Sequence, residues 1–464
     1  MDAVSLTALP EETLLHIGDY LATRSLAMLA RANTRFVPVS QDHLCRNLVI
    51  KQPTPGKYSS LLAALIRKPD LAARTVSLSL LVVQKDNSRN MERCNDEDLA
   101  LIIKKFAELG LDSNIRWAQA LADGDIWALA GFLCGVVPNI VSLDIAHRYL
   151  ETFQRDTSGL GGYYDPLNSL FKTGIEEEFP IDALAFQHLE RLTIPCASIS
   201  LLYLGFPSVK HLCITNFSMY RLRDLAATDS AELPKPLALK SLRLQFPVSL
   251  VRASHEDLGP DIADVLKKLL PHKDVDTYID ITGTGQLNYE LLNSFAISLL
   301  DGCPTINGLD FFEIDHQCGL NFGYARWWLA GLQNLRHLRI CHVFLGDAHI
   351  YANPAGLFPS SLETLELYHI EPYDMSPDLT TWIAVIWHHA RQHPSLKKVT
   401  LGMRGEVNDE AVEALKEWSE EEQVFSIKSL KALGVEMVFR PLVIHDALGS
   451  RAQWNDWQSE YSKC

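Results

Sequence analysis

The chain has no surplus of positive charge: 42 lysines and arginines stand against 57 aspartates and glutamates, for a formal net charge of −15. That balance lays down no basic footprint for a phosphate backbone, so nucleic acid is not expected as the main partner, and no single acidic tract dominates either. Paired cysteines are also missing. The nine cysteines, at 45, 94, 134, 196, 213, 303, 318, 341 and 464, are odd in number and lack close spacing, which argues against a disulfide framework or a structural zinc knot. Long apolar runs are absent as well: 78–83 and 126–137 are too short or too interrupted to cross a bilayer. The opening Met1-Asp2-Ala3-Val4-Ser5-Leu6 has no basic stretch leading into an apolar run, so no secretory signal is expected. These absences together predict a soluble intracellular chain, cytoplasmic or nuclear, without a membrane partner. A hydrophobic content of 47% with 25 glycines and 22 prolines is that of an ordinary folded protein.

Catalytic patterns are equally scarce. His388 and His393 are five apart, not the three or four that would align ligands on one helix face, and no His-Glu-x-x-His occurs. Asp315-His316-Gln317-Cys318 could supply ligands or a cysteine–histidine pair, but residues adjacent in sequence seldom converge. Gly283-Thr284-Gly285 lacks both the third glycine of a dinucleotide loop and the Gly-Lys-Ser/Thr ending of a phosphate loop, so it reads as a turn. The stretch 159–166, Gly-Leu-Gly-Gly-Tyr-Tyr-Asp-Pro, reads as a linker or a ligand-contacting loop. No residue set supports a catalytic assignment, a metal or a cofactor, and the expectation is a protein that is not an enzyme.

What the chain does have begins at its N-terminus. Leu14, Ile17 and Leu21 form one helical stripe behind Pro10, Glu11 and Glu12, where a helix start favours proline and acidic residues. A second stripe with Leu26, Leu29 and Ala30 runs down to Arg35-Phe36 before Pro38, and a third short run, 43–48, closes the segment. Three short helices enclose little core of their own, so their apolar surface is expected to continue into a neighbour or a partner.

This pattern resembles the F-box, through which substrate receptors join a cullin-RING ubiquitin ligase. The matching residues are Leu9, Pro10, Glu11, Leu14, Leu15, Ile17, Tyr20, Leu21, Leu26, Leu29, Arg35, Phe36, Leu44 and Leu48. The resemblance implies a substrate-recognition subunit of an SCF-type ligase. Leu9, Pro10, Leu14, Ile17, Leu21, Leu26, Leu29, Phe36 and Leu44 would bind the adaptor subunit, and through it cullin. Two alternatives remain: a helical cap over the end of a scaffold, and a non-ligase protein-interaction scaffold.

Behind this segment a six-residue phrase recurs, apolar-x-x-apolar-x-apolar, whose last three places alternate as a strand does. It begins at Ile140, Leu189, Val209, Leu239, Ile306, Leu335, Leu362 and Leu396, with an imperfect first copy at Thr75. Among these starts, spacings of 20, 30, 29 and 27 residues occur, within the roughly twenty to thirty of a leucine-rich repeat. In such a repeat strands and returning segments bury their apolar faces by stacking on neighbours. Longer intervals would hold an insertion or a missed copy. Returning helices are expected at 97–109, 119–134, 260–270, 288–300, 324–331, 378–391 and 408–422, and breakers such as Gly302-Cys303-Pro304 and Phe358-Pro359 stand just before strands. The alternative is an ordinary α/β domain with parallel strands.

The expected fold is therefore α/β. A small N-terminal three-helix F-box-like module at 1–50 and a helical linker at 51–74 precede an irregular leucine-rich-repeat-like solenoid at 75–440. A tail or cap follows at 441–464, with Trp454 and Trp457 folding back, and the last strand lies near 435–439. The whole resembles the irregular F-box and leucine-rich-repeat proteins of filamentous fungi. In each phrase the fifth residue points away from the buried leucines, which marks Asp144, Thr193, Cys213, Arg243, Asp310, Arg339, Glu366 and Thr400 as a candidate recognition face. Asp144, Arg243, Asp310, Arg336, Arg339 and Glu366 are its expected substrate-binding residues. Their mixed charge suits an unidentified protein substrate, with the Arg336, His337, Arg339 group favouring an acidic patch on it, unless these charges pair with one another.

Overall fold

The computed structural model describes residues 6–18, 20–21, 23–50, 54–83, 94–111, 115–148, 186–195, 208–215, 239–247, 275–282, 306–311, 326–341, 357–370, 377–404 and 427–442. The chain divides into two compact units, one of residues 1–215 with 234–239 and the other of residues 216–233 with 240–464.

The first unit begins with three helices, α1 (Glu11–Gly18), α2 (Thr23–Ala32) and α3 (Val37–Arg46). Glu11 and Glu12 occupy the first turn of α1, and His43 and Arg46 the last turn of α3, each matched to the charge of its helix end. Leu14, Phe36 and Val39 form a small buried cluster, with Leu9, Leu15 and Leu29 packed at its edge. The run expected to close this segment as a helix divides: α3 stops at Arg46, and Asn47–Ile50 is the strand β1, which pairs Leu48 with Leu78. The last residues of the helical segment thus belong to a sheet.

That sheet is parallel and follows chain order through β1, β2 (Ser77–Val83), β3 (Ser142–Arg148), β4 (Arg191–Pro195) and β5 (His211–Thr215). The helices α4 (Pro55–Arg67) and α5 (Pro69–Ala73) fill the expected linker, each with proline in its first turn. The long interval before β3 holds inserted helices: α6 (Asp96–Glu108), α7 (Ile115–Ala122) and α8 (Ile126–Val136). One helix was expected across 119–134, but Gly124 adopts φ +68 and ends α7. Asp125 then accepts the Ala128 N–H at 3.2 Å and starts α8. Leu62, Ile102, Phe106, Trp117, Leu129 and Phe132 are fully buried where these helices meet, and the rings of Phe106 and Phe132 stand edge-on at 5.5 Å.

The second unit has a parallel sheet of β6 (Ser241–Pro247), β7 (Asp276–Thr282), β8 (Ile306–Phe311), β9 (His337–Cys341), β10 (Thr364–Ile370), β11 (Lys398–Arg404) and β12 (Glu436–Leu442), again in chain order. Helices α9 (Arg326–Gly331), α10 (Pro377–Gln392) and α11 (Ile427–Ala432) precede β9, β11 and β12 respectively. The strand expected near 435–439 is β12, and it continues through Pro441, which pairs with Met403. A proline that cannot donate to a ladder is tolerated in the last strand of a sheet. The helices expected at 260–270, 288–300 and 408–422, and the tail with Trp454 and Trp457, lie outside the described residues.

Both sheets use the six-residue phrase in the same way. Its first, fourth and sixth places are core: Ile140, Leu143 and Ile145 in the first unit, and Leu335, Leu338 and Ile340 in the second, are all at most 2% exposed. Its second place sets the register. The Val141 carbonyl accepts the N–H groups of both Glu190 and Arg191, and the Glu190 carbonyl those of Lys210 and His211. In the second unit Arg336 and Glu363 carbonyls do the same for Glu363 with Thr364 and for Lys397 with Lys398. These strand entries are thereby tied to the ones before them. An α/β fold of helices with parallel sheets in chain order is what the phrase spacing implied.

Candidate functional site

Strand alternation sends one side of the second unit's sheet into the core and leaves the other carrying charge. Arg243 of β6, Asp280 of β7, Asp310 of β8, Arg339 of β9, Glu366 of β10 and Thr400 of β11 line one depression. A neighbouring row in the same depression holds Tyr278, Gly308, His337, Thr364 and Lys398. The register places them side by side: Asp280 opposite Asp310, Asp310 opposite Arg339, and Arg339 opposite Glu366.

The charges are paired with one another. Arg243 grips Asp280 with both ends of its guanidinium, Nε to Oδ2 at 2.5 Å and Nη2 to Oδ1 at 3.1 Å, a bidentate geometry that lysine could not reproduce. Arg339 lies between two carboxylates, its Nε 3.2 Å from Glu366 Oε1 and its Nη1 3.8 Å from Asp310 Oδ2. The same guanidiniums lie over aromatic rings, Arg243 at 5.9 Å from the Tyr278 centroid and Arg339 at 5.8 Å from that of Tyr368. Burial works against the Arg339 cation, and the surrounding carboxylates, Asp310 first, more than offset it, so its pKa rises.

Asp310 is the under-supplied member. It is 8% exposed, its Oδ1 accepts no hydrogen bond among the described residues, and its Oδ2 reaches Arg339 only beyond hydrogen-bond distance. Burial pushes its carboxyl up to about 7; Arg339 opposes the shift and Asp280 adds to it. Because Arg339 is nearer to Glu366, Asp310 gets the smaller share of its charge.

The neighbouring row has His337 at its centre. His337 Nδ1 is 2.9 Å from Thr364 Oγ1, and burial lowers the imidazole pKa below its ordinary value. Its ring stacks on Tyr278 at 6.2 Å across Gly308. A Cβ at Gly308 would lie 2.4 Å from Tyr278 Cδ1, so glycine there is what lets the tyrosine lie down.

Of the expected substrate-binding residues, Arg243, Asp310, Arg339 and Glu366 come together here. Arg336 does not: it lies at the entry to β9, 55% exposed and 3.9 Å from Glu363, which Lys397 also contacts at 2.7 Å. Asp144 belongs to the first unit, where it accepts from Ser79 Oγ at 3.0 Å. Arg336, His337 and Arg339 therefore do not form the shared basic surface expected to favour an acidic patch: Arg336 faces Glu363, Arg339 faces two carboxylates, and His337 is disfavoured as a cation. Asp280 and Tyr278, both central, were not among the expected residues because β7 has Thr277 where a phrase leucine would stand. Alternation through Tyr278-Ile279-Asp280-Ile281 was the available signal.

The N-terminal helices form a second candidate surface. Leu14, Leu26 and Phe36 are 4–5% exposed, and Leu14 and Phe36 belong to the cluster that joins the helices. Leu9, Ile17, Leu21, Leu29 and Leu44 are half-buried and Pro10 is exposed. Tyr20 is 78%, Met28 62% and Leu6 51% exposed. Arg35 Nη2 donates to the Leu9 carbonyl at 2.8 Å and holds the chain entering α1 against the turn before α3. His43 Nε2 lies 2.8 Å from the Leu15 carbonyl, in space kept open by Gly18, where a Cβ would be 2.3 Å from that nitrogen.

No family model and no curated protein matches this chain. Among the described residues no helix is long and apolar enough to cross a membrane.

Proposed function

We propose that this chain is the substrate-recognition subunit of a cullin-RING ubiquitin ligase, an F-box-like module joined to an irregular leucine-rich-repeat-like scaffold. The observation that carries the reading is the apolar surface left on α1, α2 and the segments that flank them, where Tyr20, Met28 and Leu6 are exposed and Leu9, Ile17, Leu21 and Leu29 are half-buried. An adaptor subunit seated there would bury side chains worth roughly 1.5–3 kcal/mol each when fully covered, and cullin would follow through the adaptor. Leu14 and Phe36 act from beneath by fixing the helices that present this surface.

In this reading the receptor performs no chemistry; it holds a target protein on the charged strand face while the ligase modifies it. Neither nucleic acid nor membrane is a partner, and the site of action is the cytoplasm or nucleus. The test is adaptor binding by the full chain carrying Tyr20→Glu and Met28→Glu together. Capture of adaptor and cullin by the wild type, lost in the double variant, is the expected result. Failure of the wild type to capture the adaptor overturns the ligase reading in favour of a non-ligase interaction scaffold.

A further inference from the structure

The charged depression of the second unit is one hydrogen-bond donor short at a particular place. Arg243 is committed to Asp280 through two contacts, and Arg339 is closer to Glu366 than to Asp310. What remains is a carboxylate on β8, nine-tenths buried, with no hydrogen bond to Oδ1 among the described residues. Removing a carboxylate from water without donors is costly, and Asp310 lines the depression. We infer that this depression receives a basic side chain of the target protein, an arginine in preference to a lysine, whose guanidinium supplies the donors that Asp310 lacks.

Three features select this ligand class. The carboxylate calls for a cation with directed N–H groups, and a planar guanidinium offers five in a fixed fork. The stacked rings of Tyr278 and His337 border the same depression, and a guanidinium packs on such faces more readily than an ammonium does. Metal ions are a poorer match: among the described residues no three His, Cys, Asp or Glu side chains are grouped as a metal site requires, and the carboxylates here are interleaved with arginines.

The pocket chemistry stands on this unit alone; that the arginine belongs to a ubiquitination target rests on the proposed function. The probe is N-acetyl-arginine amide, titrated into the full chain by NMR, with the lysine and citrulline analogues alongside. Arginine should bind more tightly than lysine, citrulline should not bind, and Asp310→Asn should weaken arginine by about tenfold or more, the loss of a charged hydrogen-bond pair. A wild-type measurement keeps the test independent of that variant's folding. Binding a cation to a carboxyl that holds a proton releases it, so affinity should rise between pH 6 and pH 8. The other titratable or charged groups facing the site are Arg243, Asp280, Arg339, Glu366, Lys398 and His337, of which burial lowers the His337 pKa below its ordinary value. Equal binding of arginine and citrulline, no binding of either, or an affinity indifferent to both pH and Asp310→Asn overturns the inference. Adaptor capture is scored separately: its loss with arginine binding intact refutes the ligase reading and leaves the pocket standing.

Discussion

The imidazole of His337 stacks on the ring of Tyr278, with planes 18° from parallel, although β8 runs between their strands. The contact exists because the intervening residue is Gly308. Gly308→Ala would put a methyl group 2.4 Å from Tyr278 Cδ1, and the ring would have to lift. We expect a loss of about 1–3 kcal/mol, typical of overpacking, read as a lower urea midpoint with an unchanged slope. Adding Tyr278→Ala should recover part of it. A Gly308→Ala midpoint equal to that of the wild type would show that the ring has room to move.

Asp310 should make stability depend on pH in the direction opposite to a salt-bridged carboxylate. Its folded-state pKa lies near 7, raised from an ordinary 3.8, so between those values the folded chain keeps a proton that the unfolded chain has released. Its contribution is then largest near pH 4 and is lost as pH rises through 7, with a slope of up to about 1.4 kcal/mol per pH unit. The charged groups around it are Arg243, Asp280, Arg339, Glu366, His337 and Lys398, so the comparison must isolate one residue. Asp310→Asn should flatten this part of the profile and raise stability at pH 8. Parallel profiles for the two proteins would contradict the assignment.

Asn307 completes a rung that the backbone alone does not close. Its Oδ1 accepts the Thr277 N–H at 3.1 Å where the pairing of β7 with β8 slips. Asn307→Ala leaves that buried N–H without its acceptor, a loss of about 1–3 kcal/mol. Hydrogen exchange gives the local readout: the Thr277 amide should exchange faster in the variant, and unaltered protection would mean that another acceptor takes over.

Within the N-terminal helices, core and surface substitutions should separate. Leu14→Ala opens a cavity in the cluster with Phe36 and Val39 and should cost about 2–5 kcal/mol, seen as a lower melting temperature. Met28→Glu changes a side chain that is 62% exposed and should leave melting unchanged while weakening adaptor binding. If Met28→Glu also lowers the melting temperature, Met28 is part of the fold and not of a docking surface.

Most strands were legible from the apolar residues at the fourth and sixth phrase places, because buried positions on a strand recur every second residue; β1 was not, although Leu48 and Ile50 fill those places, because it follows α3 without a break. β7 escaped since Thr277 takes a core position and satisfies its hydroxyl by donating to the Val275 carbonyl, a solution invisible to a search for apolar residues. The break between α7 and α8 depended on one left-handed glycine in an otherwise continuous apolar stripe. At the site, Arg243, Asp310, Arg339 and Glu366 were legible as one face, but their mutual pairing was not: which carboxylate an arginine takes depends on cross-strand register, and the loop lengths between phrases do not encode it.

A strand-entry carbonyl that receives two N–H groups from the next strand uncouples a residue's address from the length of chain before it. Thr364 stands opposite His337 whatever lies between them, because Arg336 holds the start of β10 in place. Intervening segments could then be lengthened, shortened or exchanged between homologous chains without shuffling the charged row, and selection on the connections would be free to proceed apart from selection on the face they bracket.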